Sequence, residues 1–256
     1  MKIVFDEKYY NSNYASDPAA DRGRLEGIVD LLSMNKNYEF IVPEPATKED
    51  ILRAHTNRHY EIIKHDTLLF ELASLAAGGA IMAAEQAYEG YPTFAVIRPP
   101  GHHASADSCW GFCYFNNMSI SLLKLFSEGK IKSAFVLDFD LHTGDGNLNI
   151  LSHRSDGFKA DILNPDGRTN QDYISGVEAY MENLNDIDII TASAGFDQGV
   201  KDWGGLLEPE DYTTLGDLMK KHSKKLCNGR RYALMEGGYN HDVLPINVNS
   251  FCQGFE

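Results

Sequence analysis

Short apolar stretches alternate with longer segments of helical periodicity along this chain. Four apolar stretches have the length and the Val, Ile, Leu and Phe content of buried strands, and they cover residues 93–97, 133–140, 188–194 and 231–236. Helical periodicity predicts helices at residues 21–34, 66–88, 115–128, 170–184 and 209–226. Strands that alternate with helices are typical of a mostly parallel sheet, so we predict an α/β fold in which a single three-layer αβα domain spans residues 1–256.

Chemically versatile side chains follow the ends of all four predicted strands. In chain order they are His102 and His103, Asp140 and His142, Asp197, and Tyr239. In open parallel sheets, ligands bind beyond the carboxyl ends of the strands. We therefore predict that these residues, although far apart in the sequence, meet in one crevice.

The segment DFDLHTGDG contains the elements of a metal site. Alternate side chains of a strand share a face, so Asp138, Asp140 and His142 are expected to project to the same side. Carboxylate oxygen and imidazole nitrogen suit Zn²⁺, and Asp197 is the best candidate for a third ligand. The alternative for the segment alone is a solvated strand end with a helix-capping carboxylate.

Tandem histidines, His102 and His103, follow a Pro-Pro-Gly turn. Paired imidazoles beside a metal are useful because a carboxylate can hold one of them while the other handles protons. Taken alone, the pattern is more typical of two hydrogen-bonded histidines in a turn.

Composition excludes some classes of function. The formal net charge of −14 gives no electrostatic reason to approach phosphate, so no direct nucleic-acid binding is expected. An acidic surface can attract cationic substrates, although solubility is the commoner explanation. The four cysteines contain no CxxC pair and are expected to be reduced thiols. Neither the charged N-terminus nor the small-residue stretch 73–87 resembles a signal peptide or membrane span, so a cytoplasmic protein without membrane contact is expected.

Several motifs occur together in a characteristic order. They are RPPGHHA (98–104) with GFCYFNN (111–117), DFDLHTGDG (138–146), SAGFD (193–197) and EGGYN (236–240). In these motifs the chain resembles the histone deacetylase superfamily, which includes acetoin-utilisation proteins and acetylpolyamine amidohydrolases. The resemblance implies an arginase/deacetylase-like fold and a zinc-dependent enzyme that hydrolyses the amide bond of N-acetylated amines, either acetyl-lysine or acetylpolyamines.

Carried over by position, the resemblance implies that Asp140, His142 and Asp197 bind zinc, that His103 transfers protons, and that Tyr239 polarises the substrate carbonyl. These roles agree with general chemistry, because zinc activates water and a hydroxyl donor stabilises a developing oxyanion. Fe²⁺ is an alternative to zinc, because the ligand set alone does not choose between similar divalent ions.

The resemblance also assigns supporting roles. His102 is the orienting member of the tandem pair, and Asp138 and Asp145 are the carboxylates that hold His102 and His103 respectively. For both aspartates the alternative is a capped strand end. The family often binds a monovalent cation near the zinc strand, which makes K⁺ plausible near Asp138.

Small and aromatic residues are expected to shape the substrate channel. Gly111 and Phe112 resemble the family's acyl-channel wall, where an aromatic face grips an aliphatic stem. Gly238, with Gly237, lets the backbone approach the acyl group and lets the following tyrosine turn inward. Phe112 also fits an ordinary core position, and Trp203 fits substrate contact and packing equally well.

The match to the family is imperfect at some positions. Thr143 stands where many relatives carry a second histidine, and the interval 146–188 lacks a segment that helps to form the channel in larger relatives. The site is therefore expected to be more open. Cys109 and Cys113 are expected in the core, and the sequence assigns no role to Arg22 or Arg24.

Two other functions fit parts of the sequence. A metal-binding protein with a vestigial site would retain zinc without turnover. A manganese-dependent ureohydrolase would share the fold, but it would need ligands for two metals, and the sequence offers one set. The natural substrate and the oligomeric state are left open.

Overall fold

The computed structural model describes residues 1–152 and 154–256. Its strands are β1 (Lys2–Val4), β2 (Glu39–Ile41), β3 (Thr93–Ala95), β4 (Ser133–Asp138), β5 (Lys159–Leu163), β6 (Ile190–Ala194) and β7 (Arg231–Met235). They form one sheet in the order β2-β1-β3-β7-β6-β4-β5, and every neighbouring pair is parallel.

Helices cover both faces of this sheet. They are α1 (Glu26–Ser33), α2 (Lys48–Ile51), α3 (Asn57–Lys64), α4 (Thr67–Tyr88), α5 (Asn117–Ser127), α6 (Asp145–Leu151), α7 (Asn170–Glu182), α8 (Pro209–Leu226) and α9 (Leu244–Phe255). Helix α4 packs on β3 and β7 and contacts α3 and α5, whereas α8 packs on β6 and β7 and contacts α7 and α9. The architecture is the predicted three-layer αβα arrangement.

Several helices begin where a polar side chain satisfies a free backbone N–H group. The side chains of Asp66, Asn116 and Thr169 accept from the third residue of α4, α5 and α7 respectively. Helix α8 begins with a proline after a capping box. Local sequence therefore sets these helix starts independently of the sheet.

The core lies between the sheet and the two helix layers. Strands β3, β4, β6 and β7 are buried along their whole length, as expected for a parallel sheet covered on both faces. Helix α4 has the length and apolar composition of a membrane span, but most of it is buried inside the fold, as in the core helix of a globular domain.

The predicted elements are present, with shorter bounds at several ends. Strand β4 ends at Asp138, so the prediction that it continues to Asp140 was wrong; the chain bends there instead. Asp140 and His142 therefore do not share a strand face. Strands β1 and β2 and helix α2 were not predicted, because three- and four-residue elements carry too little periodicity. The half-exposed strand β5 lacks an apolar run, and the longer helices α3, α6 and α9 were also missed.

Candidate active site

The sheet order brings the chemically versatile segments to one edge. Strands β4, β6 and β7 are neighbours, with Leu137 beside Ala192 and Ala194 beside Met235. Strand β3 pairs with the other side of β7 and leads to the tandem histidines. Because the strands are parallel, their carboxyl ends meet at the same edge of the sheet.

Asp140, His142 and Asp197 form a compact group. Each offers one ligand atom, and these atoms lie within 4.8 Å of one another. His142 Nδ1 is 3.3 Å from Asp140 Oδ1 and 3.4 Å from Asp197 Oδ2. Both carboxylates are buried, whereas the His142 side chain is 42% exposed. The group therefore consists of two carboxylates shielded from solvent and one imidazole that solvent can reach.

Backbone groups fix the two carboxylates. The N–H of Gly237 donates to Asp140 Oδ2 at 2.8 Å, and that of Leu141 donates to Asp197 Oδ1 at 3.0 Å. A Cβ atom at Gly237 would lie 2.5 Å from Asp140 Oδ2, so only glycine permits this approach. Asp197 Oδ2 is buried and has no hydrogen-bond partner among the described residues.

The electrostatics of this group fit a cation. Burial and the charge of Asp140 raise the pKa of Asp197 to about 6. Burial opposes ionisation of Asp140 as well, but the positive charge of His102 and hydrogen bonds from His142 hold its pKa below the ordinary value. The hydrogen bond to Asp140 and the closeness of the Asp197 carboxylate raise the pKa of His142 to about 10. A divalent ion such as Zn²⁺ would suit this group, which offers an imidazole and two buried carboxylates, one of them with an unpartnered oxygen.

The tandem histidines lie beside this group, each against an aspartate. His102 Nδ1 is 3.3 Å from Asp138, and His103 Nδ1 is 2.6 Å from Asp145. The imidazole rings are 4.0 Å apart and tilted by 40°. We call Asp140, His142 and Asp197 the metal-capable group. His102 Nε2 lies 3.7 Å from Asp140 Oδ1, so the histidine pair is in contact with this group.

The pKa values of the two histidines are shifted in opposite directions. Burial and the positive charge of His102 lower the pKa of His103 to about 4, so His103 is neutral at pH 7. Burial alone would lower the pKa of His102, but the charges of Asp140 and Asp138 raise it well above the ordinary value. His103 is therefore the free base of the pair.

Buried polar side chains hold the backbone at Gly101 and His102, which we call the histidine turn, and the Asp138 carboxylate beside it. Glu236 Oε2 accepts from the N–H groups of Gly101 at 2.6 Å and His102 at 3.2 Å. Asn147 Nδ2 donates to Asp138 Oδ2 at 3.0 Å. Glu236, His102 and Cys113 are close enough to form a second metal-capable group, but two of them already hold this turn.

The loop that carries Tyr239 is anchored by two residues. Arg24, to which the sequence assigned no role, is buried. It donates through Nε to Gly238 O at 2.8 Å and through Nη2 to Glu236 O at 2.5 Å. Asp202 Oδ2 accepts from the N–H groups of Tyr239 and its successor, both at 2.8 Å. Gly238 has a φ of +113°, which favours glycine at this bend.

A cavity of about 320 Å³ opens over these residues. We call it the histidine cavity, because His102, His103 and His142 lie on its wall, together with Gly111, Phe112 and Tyr239. Gly111 has a φ of +58°, and a Cβ there would overlap the His103 ring. Phe112 packs edge-on against Tyr239, with ring centroids 5.9 Å apart. Every residue predicted for the substrate channel therefore borders or supports this cavity.

Both tryptophans of the chain also line the histidine cavity. The Trp110 ring packs against the His103 ring, with centroids 3.9 Å apart and a tilt of 34°, and Trp110 donates from Nε1 to Asp145 Oδ2 at 2.9 Å. Trp203 stacks on Tyr239 at 4.1 Å. Each indole is about half exposed, 55% for Trp110 and 52% for Trp203. Trp203 therefore combines packing with exposure to the cavity.

The sequence and the fold resemble those of known proteins. A family model described as a histone deacetylase domain matches residues 19–167. A probable deacetylase of Archaeoglobus fulgidus is 31% identical, in an alignment that covers 99% of this chain and 86% of that protein. The chain belongs to the histone deacetylase family.

Other relatives agree with this assignment. A probable deacetylase of Methanothermobacter thermautotrophicus is 28% identical over 100% of this chain and 91% of that protein. A histone deacetylase-like amidohydrolase of Pseudomonas aeruginosa is 24% identical over 92% of this chain and 75% of that protein. The chain is therefore a hydrolase of the histone deacetylase family.

A solved structure confirms the predicted fold. The crystal structure of the HDA15 HD domain matches with a TM-score of 0.84 and 22% identity, covering 99% of this chain and 88% of that one. The arginase/deacetylase-like αβα prediction is thereby confirmed.

The positions that depart from the family pattern lie around the metal-capable group. Thr143 is exposed and lies on a separate cavity that also borders Asp140. The short interval 146–188 contributes α6, β5 and α7. The Asp138 carbonyl accepts from Asn164 Nδ2 at 3.3 Å, and K⁺ near this residue stays a prediction.

Sequence reasoning missed Trp110, Arg24, Asp202 and Glu236. Trp110 directly precedes Gly111 in a motif that the resemblance had already identified, and Glu236 opens another such motif, so both had a signal. Arg24 and Asp202 act through backbone atoms of a distant loop, which no local pattern reveals. Cys109 and Cys113 were both predicted to lie in the core. Cys113 is buried as predicted, whereas Cys109 is only partly buried.

Proposed function

We propose that this hydrolase is a zinc-dependent deacetylase that cleaves the amide bond of N-acetylated amines. The main support is one arrangement: a three-ligand metal group, a neutral histidine held by a carboxylate, and a tyrosine hydroxyl all border or adjoin one cavity. Metal, base and hydroxyl donor are the groups that amide hydrolysis by activated water needs.

Asp140, His142 and Asp197 are the proposed zinc ligands. One imidazole and two carboxylates leave a coordination position open, as in catalytic zinc sites. When bound, zinc supplies Lewis acidity that activates water at neutral pH and polarises a carbonyl oxygen. Fe²⁺ suits the same ligands, so the physiological ion is a matter for metal analysis.

His103 is the proposed proton carrier. Its low pKa, about 4, leaves it unprotonated at pH 7 and able to accept a proton from the attacking water. Asp145 accepts from Nδ1 at 2.6 Å, which leaves Nε2 as the basic nitrogen. The proton then passes to the nitrogen of the departing amine. His102, whose pKa is raised by the nearby charges of Asp140 and Asp138, is the proposed orienting member of the histidine pair.

Tyr239 is the proposed donor to the developing oxyanion. Burial raises the pKa of its hydroxyl far above the ordinary value, so the proton is retained for donation. Arg24 and Asp202 hold the backbone on either side of Tyr239, and Trp203 holds its ring. The donor is thus preorganised, which is the source of most electrostatic catalysis.

Acetate release tests this proposal. Zinc-loaded wild type is incubated with acetyl-lysine peptides, acetylpolyamines and small N-acetyl amines, alongside a chelated sample and His103→Ala. His65→Ala is the matched control, because His65 is exposed on the surface. We expect release that requires both metal and His103 and is unchanged in His65→Ala. Absence of release with zinc bound would instead favour a vestigial metal-binding protein.

The ureohydrolase alternative has a separate test. The predicted ligand set holds one metal, so elemental analysis of purified protein should give about one divalent ion per chain. Two equivalents of manganese would contradict the proposed chemistry.

A further inference from the structure

Each histidine of the tandem pair contacts an aspartate, and the two aspartates differ in their surroundings. Asp138, beside His102, is fully buried and also accepts from Asn147 Nδ2 at 3.0 Å. Asp145, beside His103, is the first residue of α6, and its side chain is 48% exposed. Water therefore competes for the oxygen atoms of Asp145 but does not reach those of Asp138.

Trp110 supplies a second donor to the exposed carboxylate. Its Nε1 donates to Asp145 Oδ2 at 2.9 Å, while His103 Nδ1 lies 2.6 Å from Asp145 Oδ1. Because the two donors use different oxygen atoms, they fix the rotation of the carboxylate as well as its position. Burial opposes ionisation of Asp145, but the hydrogen bonds from His103 and Trp110 hold its pKa below the ordinary value. The carboxylate is therefore both ionised and oriented at neutral pH.

The backbone around Trp110 places the indole against the His103 ring, with centroids 3.9 Å apart. Gly111 and Phe112 have φ values of +58° and +64°. The N–H of Cys113 donates to the carbonyl oxygen of Trp110 at 3.0 Å, which closes a tight turn. The N–H of His103 donates to Cys113 Sγ at 3.4 Å, so the same turn is attached to the histidine. The position of the indole is thus set by the backbone as well as by its own hydrogen bond.

We propose that Trp110 is a positioning residue for proton transfer by His103. It acts through Asp145: the indole N–H keeps the carboxylate on Nδ1 of His103, which leaves Nε2 as the basic nitrogen. If water replaces the indole N–H, the carboxylate can turn away, and the ring can then carry its proton on Nε2, where it accepts none. The inference rests on the proposed function, in which His103 is the proton carrier, and it adds a residue to which that function gives no role.

A replacement that removes only the N–H group tests this role. Benzothienylalanine in place of Trp110 keeps the shape of the ring system and has sulfur where the indole has N–H. Trp110 is 55% exposed, so the fold should tolerate the change. On the zinc-loaded enzyme we expect kcat to fall about tenfold while KM stays within about twofold, because the lost contact serves proton transfer and not substrate binding.

Tyr91→Phe is the matched control. It also removes the polar atom of an exposed aromatic side chain, since Tyr91 is 52% exposed. Tyr91 precedes the amino end of β3, whereas the site lies beyond the carboxyl ends of the strands. Its kcat and KM should equal those of wild type. An equal loss of kcat in this control and in the benzothienylalanine variant would overturn the positioning role.

A double-mutant cycle shows whether Trp110 acts through Asp145. Asp145→Ala should itself lower kcat, and in that background the benzothienylalanine replacement should cause no further loss. If the two losses multiply instead, Trp110 acts independently of the carboxylate and the proposal is wrong.

Proton NMR measures the positioning without turnover. The Nδ1 proton of His103, held by a carboxylate, should give a downfield resonance in zinc-loaded wild type that is absent from His103→Ala. Benzothienylalanine in place of Trp110 should broaden or shift this resonance, because water gains access to the Asp145 carboxylate. If wild type releases no acetate, the deacetylase proposal fails, while the spectrum still decides the role of Trp110. An unchanged resonance would overturn that role, and so would an unchanged kcat in an active enzyme.

Discussion

At the scale of single residues, close approach of main chain and side chain shapes the site more than side-chain identity alone. Gly111 and Gly237 each bring the backbone within contact distance of a functional side chain. A Cβ atom would overlap the His103 ring at Gly111 and the carboxylates of Asp140 and Asp197 at Gly237. Substitution at such positions therefore tests the geometry without removing any reactive group.

Gly111→Ala should lower kcat/KM by about 100-fold while the protein stays folded. The added Cβ would overlap the His103 ring, and displacing a catalytic group by about 1 Å has this cost. Gly129→Ala is a matched control, because Gly129 also has a positive φ but has no atom within 4 Å of the added Cβ. Equal activity losses in the two variants would show that backbone strain, and not the displaced histidine, is responsible.

Asp202→Ala should lower kcat/KM by about 10-fold to 100-fold, because the two N–H groups that position Tyr239 lose their acceptor. Asp202→Asn keeps an acceptor oxygen for the two N–H groups and should recover most of the activity. Steady-state kinetics on both variants measure how much of the loss in kcat/KM follows from the missing hydrogen-bond acceptor. If Asn and Ala are equally impaired, hydrogen bonding to the loop is not the function of Asp202.

Elements differ in how well the sequence predicts them. Helix α4 and strands β4, β6 and β7 contain apolar runs that predict their positions, although β4 ends two residues before its predicted end. The resemblance named the metal-capable group, the tandem histidines and Tyr239, whereas no local pattern indicates Arg24 or Asp202. Their contacts join segments more than 30 residues apart, and only the packed sheet brings those segments together.

Gly78→Ala should destabilise the protein by about 1–3 kcal/mol. Gly78 lies in α4, where an added Cβ would overlap the Glu44 carbonyl oxygen, and the backbone cannot move aside without disturbing the core. Gly176→Ala in α7 is the control, because it has open surroundings and should stabilise the protein by about 0.5–1 kcal/mol. Urea denaturation measures both; a neutral Gly78→Ala would mean that α4 can shift away from the segment that contains Glu44.

At the scale of the whole molecule, charge is distributed unevenly between surface and interior. The surface carries most of the net charge of −14, and the interior carries the histidines and carboxylates of the site. Folding must therefore hold several imidazoles in states that water would not favour. The sequence alone cannot show this, because the ionisation of each histidine depends on which distant segment covers it.

His55 makes this dependence measurable away from the metal-capable group. Its Nε2 accepts from the N–H of Asn116 at 2.8 Å, and its Nδ1 lies 3.0 Å from the carbonyl oxygen of Ser105. This pattern needs the neutral ring with a proton on Nδ1. Burial and the nearby His59 lower the pKa of His55 from 6.5 to about 3, so the folded protein keeps the ring neutral in mild acid.

Acidification should therefore destabilise the fold through His55. Between pH 6.5 and about 3 the unfolded chain binds a proton at His55 that the folded protein does not, so the free energy of unfolding falls as pH falls. The loss approaches about 1.4 kcal/mol per pH unit below 6.5. His55→Gln removes this titration, and its urea-derived stability should decline less steeply than that of wild type from pH 6.5 to 5. Parallel curves would show that His55 becomes protonated without unfolding, which would require the segment around Ser105 to open and admit water.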